Sequence, residues 1–72
     1  MDDYAVFVDS TNEQTGNQYI SLWTCKAKTK DEAIFLITER AKDIYRDTKV
    51  VIDNVTAFKL DLGQPTHYYG TI

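Results

Sequence analysis

The chain has 72 residues, of which 43% are apolar and 26% charged, and eleven acidic against eight basic side chains leave a formal charge of -3. A chain of this length makes one domain and buries roughly 60% of the surface its unfolded form exposes, so it has little stability to spare. Cys25 is the only cysteine and His67 the only histidine, which excludes an intrachain disulfide and a Cys/His zinc cluster, and the net negative charge is not the footprint of a phosphate-binding protein.

The N-terminal segment "MDDYAVFVDS" is acidic, with no basic start and no long apolar run. It does not read as a secretory signal. No stretch approaches the ~20 apolar residues that span a bilayer. The expectation is a cytoplasmic protein with one reduced thiol.

Tyr4 to Asp9 alternates Tyr4, Val6 and Val8 against Ala5 and Phe7, the period of a strand. The polar segment "STNEQTGNQ" follows, with Gly16-Asn17 as its turn chemistry, and is expected to be a mobile exposed loop. Tyr19 to Lys28 reads as a second strand. Ile20 and Leu22 occupy one side, continued by Thr24, Lys26 and Lys28; Tyr19, Ser21, Trp23, Cys25 and Ala27 occupy the other. Two strands joined by a polar loop predict an antiparallel hairpin.

"TKDE" then opens a helix as a capping box. The Thr29 hydroxyl accepts from the N–H of Glu32, and the Glu32 carboxylate is expected to reach back to the N–H of Thr29. Asp31 and Glu32 also suit the positive end of the helix dipole. The body contains no Gly or Pro, and Ala33, Ile34, Ile37, Ala41, Ile44 and Tyr45 form one apolar stripe at helical spacing. "KVVIDNVTAFKLDL" returns to strand character. Phe58, Leu60 and Leu62 are its expected inner face, with a bend or bulge at Asp53-Asn54. Gly63 and Pro65 end it. Residues 63–72 form either a short edge strand or a flexible tail. The predicted fold is a single α+β domain over residues 1–72, ββαβ with a possible last strand. One antiparallel sheet carries one helix on one face.

Three surfaces then stand out. The helix side opposite the stripe carries Glu32, Leu36, Glu39, Asp43 and Asp47, with Phe35 at its margin and Arg40, Lys42 and Arg46 as flanking cations. It is either a solvated face with local ion pairs or an acidic contact ridge with apolar anchors. Phe35 and Leu36 either pack sideways or stay exposed as an interface patch. The second surface is the uncovered sheet face. If Val6, Ile20 and Leu22 turn to the helix, then Phe7, Tyr19 and Trp23 line it. In the reverse register Tyr4 joins the exposed set. A symmetric homodimer is the expected cover. The third is Lys26, Lys28 and Lys30 beside Trp23, either a solubilising strip or a single-stranded nucleic-acid platform.

Catalysis has little support in the sequence. A nucleophilic Cys25 needs a base, and His67 is the only histidine. No glycine-rich phosphate loop is present. A non-enzyme with no cofactor and no metal is expected.

The segments "YAVFVD", "YISLWTCKAK" and "TKDEA" follow one another in an order similar to the start of HicB-type antitoxins, where a hairpin leads into a T-x-x-E-A helix. The chain departs from them by lacking a Pro-Gly-containing segment before the helix and an appended DNA-binding domain. Its strand, loop, strand, helix order also resembles small proteins of phages and mobile elements. In topology it is similar to phage inhibitors of uracil-DNA glycosylase, which are small, acidic and dimeric. The expectation is a small non-enzymatic binding protein of phage or mobile-element type that occludes a host protein, such as one that handles nucleic acid, and the helix ridge itself puts the contact at Glu32, Phe35, Leu36, Glu39 and Asp43. An antitoxin-like partner or an assembly subunit is the other implied role. No functional residue is carried over from any of these families.

Overall fold

A computed structural model describes residues 1–61. Strand β1 covers Asp2–Asn12, β2 covers Gln18–Ala27, helix α1 covers Lys30–Tyr45 and β3 covers Val50–Lys59. The expected ββαβ order of an α+β domain is present. Among the described residues the strands form one antiparallel sheet in the order β2-β1-β3, with α1 packed on one face. The expected last strand or tail at 63–72, and His67 with it, lie outside the described residues.

The hairpin loop is shorter and better organised than the sequence suggests. β1 runs to Asn12 and β2 starts at Gln18. The Asn12 side-chain oxygen accepts from the N–H groups of Gln14 (2.9 Å) and Thr15 (3.2 Å), an Asx-type turn. Gly16 takes φ 78 and its N–H donates to the Asn12 carbonyl at 2.7 Å. That left-handed conformation is why glycine sits there. The Glu13 N–H donates to the Lys49 carbonyl at 2.9 Å, so the loop is tied to the α1–β3 connection.

Register then fixes the faces. Tyr4, Val6, Val8 and Ser10 of β1 are buried toward α1. Their partners in β2 are Cys25, Trp23, Ser21 and Tyr19, and directly paired residues share a face. Tyr19 and Trp23 therefore belong to the helix side, and Trp23 packs against the core. Of Phe7, Tyr19 and Trp23, only Phe7 lies on the open face. Ile20 and Leu22, expected toward the helix in one register, are there with it, at 74% and 62% exposure. Tyr4 is buried, so neither sequence-level alternative holds as a set.

β3 carries the expected irregularity. Asp9 pairs with Asn54 but Ser10 with Ile52, so Asp53 is an extra residue. A bulge of this kind shifts side-chain parity by one. Val50 and Ile52 before it, and Val55 and Ala57 after it, all pair opposite helix-side positions of β1. Phe58 consequently points to the open face, 56% exposed, and is not part of the inner face.

The Thr29 hydroxyl accepts from the Glu32 N–H at 3.1 Å, as the capping box requires. The Glu32 carboxylate, however, accepts from the N–H of Lys28 at 3.2 Å, one residue before the expected donor. At the other end, both the N–H and the hydroxyl of Thr48 donate to the Tyr45 carbonyl, at 3.0 and 2.7 Å. The Thr48 oxygen accepts from the Val50 N–H at 3.1 Å. Thr48 thus ends α1 and starts β3 without glycine or proline.

Between the layers Ala33, Ile37 and Ala41 of α1 meet Tyr4, Val6, Val8, Ala27 and Ala57 of the sheet. Ile34 and Tyr45 pack at the margin, while Ile44 of the expected stripe is about half exposed. Four of these eight buried apolar residues are alanine. Such a core brings helix and sheet close together but removes little apolar area from water.

Candidate functional site

At 3.6 residues per turn, the outer side of α1 places Phe35 and Leu36 on either flank of the row Glu32, Glu39 and Asp43. Phe35 is 63% exposed and Leu36 42%. Among the described residues neither is packed away. Helix formation does not explain them, because phenylalanine is a weaker helix former than the alanine or lysine a solvated position could hold.

The carboxylates between them are not a bare negative ridge. Glu39 pairs with Lys42 at 3.4 Å, and Asp43 pairs with Arg40 at 4.0 Å and Arg46 at 3.7 Å. Glu32 is engaged at the helix start. Exposed pairs of this kind are worth about 0–1 kcal/mol each. They neutralise the surface in isolation yet are readily exchanged for a partner's charges. The surface is an apolar pair beside carboxylates that the flanking cations Arg40, Lys42 and Arg46 partly neutralise.

The structure splits the Lys26, Lys28, Lys30 and Trp23 set between the two sheet faces. Trp23 lies on the helix side of β2, where its Nε1–H donates to Ser21 Oγ at 2.9 Å. Lys26, three residues on, lies on the opposite face and pairs with Asp3 at 2.9 Å. Lys28 and Lys30 are exposed beyond the strand. The indole and Lys26 therefore lie on opposite faces of the sheet.

The open sheet face is the surface that sequence reasoning assigned incompletely. Phe7, Ile20, Leu22 and Phe58 form its apolar centre. Phe7 and Phe58 meet edge-on, ring centroids 5.8 Å apart and planes at 79°, a diagonal cross-strand pair. Lys26 and Asp3 lie at one end of this face. Asp9 lies beside Ile20, and Asp53 lies toward the other end, where its carboxylate accepts from the Thr11 hydroxyl. A shallow depression of about 450 Å³ at that end is lined by Asp9, Ser10, Gln18, Tyr19, Ile20 and Asp53.

Cys25 faces the helix side and is half-buried against the core. Its burial, and secondarily the Glu32 carboxylate, push the thiol above its ordinary range. That lowers the thiolate fraction at neutral pH, the reverse of what a nucleophile needs. Among the described residues no group of three or more His, Cys, Asp or Glu is placed to hold a metal ion. No described helix is long and apolar enough to cross a membrane.

No family model matches the chain, and neither a curated protein nor a solved structure does.

Proposed function

We propose that the protein is a small binding module that acts without catalysis, inside the cell, by covering a surface of a second protein through the outer side of α1. The observation that carries this reading is the exposure of Phe35 on a helix whose core contacts are made by Ala33, Ile37 and Ala41. A partly exposed Leu36 accompanies it. A large aromatic held out on a rigid element is the usual form of an interface anchor, since its burial in a partner pocket gains apolar area at little entropic cost. Glu32, Glu39 and Asp43 would face a partner surface with basic groups around an apolar pocket. A nucleic-acid-handling protein of a host cell has that chemistry.

The test compares tagged wild type with the double variant Phe35→Lys/Leu36→Lys in affinity capture from a bacterial lysate. Both positions are exposed, so the far-UV circular dichroism should be unchanged. Wild type is expected to recover one protein in stoichiometric amount. The variant should lose about 2 kcal/mol or more of binding, roughly thirtyfold, as expected for truncating an anchor. Equal recovery by both, or nothing recovered by wild type, contradicts the reading.

A further inference from the structure

We propose that the open sheet face packs against the same face of a second copy, with the strands of the two sheets running antiparallel, to give a helix–sheet–sheet–helix dimer. This surface lies on the opposite side of the sheet from α1, so the inference stands independently of the partner proposed for Phe35.

The area is sufficient. Three strands about 4.8 Å apart and about ten residues long, at ~3.4 Å per residue, present a face of roughly 14 by 34 Å. Two such faces in contact bury about 1,000 Å² before side-chain relief is added, the threshold for a specific interface. The composition fits as well. Phe7, Ile20, Leu22 and Phe58 make an apolar centre interrupted by Asp9 beside Ile20, with Lys26 and Asp3 at one end and Asp53 toward the other, close to the anatomy of an interface core and rim.

A second copy suits this face better than an occasional partner, because the need for cover is constant. The protomer's own core has Val6, Val8 and Ser10 as its largest fully buried side chains, and a chain this small gains little from such a core. Three more large apolar residues sit more than half exposed on the sheet, Ile20, Leu22 and Phe58. Burying them is the available source of further stability.

The charges select the orientation. A face-to-face dimer has its twofold axis in the plane between the sheets. With the axis along the strands, the central strand β1 lies over its own copy and Asp9 faces Asp9. With the axis across the strands at the Phe7–Leu22 pair, Asp9 faces Ala5 and the Lys26–Asp3 end faces Thr11 and Gln18, so the like-charge clash is removed. Phe7, in the middle strand and the middle row, then lies near the axis.

The test is the mass in solution, by light scattering across a dilution series. Wild type is expected at twice the 8.3 kDa of the chain, with an unfolding midpoint that rises with protein concentration. Leu22→Lys is expected at the mass of one chain. Should that variant fail to fold, the concentration dependence of the wild-type midpoint decides. A wild type at the mass of one chain with a concentration-independent midpoint overturns the proposal. So does a Leu22→Lys protein that remains dimeric, since the copies would then join elsewhere, such as along the β2 edge.

Discussion

Ala41→Leu is expected to lower stability by about 1–3 kcal/mol, the range for overpacking a filled core. Ala41 and Ala33 of the helix, with Ala27 and Ala57 of the sheet, are all almost fully buried. They set the distance between the layers. Leucine at position 41 adds three heavy atoms where the sheet already lies against Cβ. The helix must then lift, and Ile37 and Tyr45 lose contact with it. At about 0.05–0.15 kcal/mol per residue, a chain of this size has roughly 4–11 kcal/mol in total, so the loss is a sizeable fraction. Urea denaturation should show a lower midpoint with an unchanged slope. Lys42→Leu places the same side chain one position on, at an exposed site, and should stay within about 0.5 kcal/mol of wild type. Equal midpoints for the two variants would mean that the alanines do not set the spacing.

Deleting Asp53 should cost no more than replacing it. Asn54 pairs with Asp9 and Ile52 with Ser10. Removing the extra residue between them therefore leaves a regular ladder, in which Val50, Ile52, Val55 and Ala57 all keep the helix side. Deletion and Asp53→Ala both lose the Thr11–Asp53 hydrogen bond, on the order of 1 kcal/mol or less at an exposed site. Equal midpoints are therefore expected for the two variants by chemical denaturation. A deletion markedly worse than the alanine variant would show that the bulge itself is needed.

The same two features explain what could be read in the chain and what could not. The helix was legible because its signals agree: Thr29 and Glu32 at the start, and Ala33, Ile37 and Ala41 at core spacing. The face of β2 was not legible. Ile20 and Leu22 on one side compete with Tyr19 and Trp23 on the other, so hydrophobic alternation does not choose between them. The choice is made by the Asn12 turn and Gly16, which set the hairpin register. In β3 the position of the irregularity was legible at Asp53-Asn54, but its consequence was not. Phe58 reads as inner because it alternates with Lys59, but the helix-side position there is taken by the small Ala57 and Phe58 next to it faces outward. At the candidate site, Phe35 and Leu36 were recognisable as residues off the stripe. Their exposure was not, since it depends on how far the sheet extends beside the helix. The flanking cations were visible in sequence, but not that Asp43 meets both Arg40 and Arg46.

The central claim is that the outer helix side meets a different protein, and site-specific photo-crosslinking tests it most directly. A photoreactive phenylalanine derivative is placed at position 35 in living bacteria, and in a parallel culture at position 22. The account predicts an adduct of the chain with another protein from position 35, and an adduct of two chains from position 22. Only chain-to-chain adducts from position 35, or none, would contradict it.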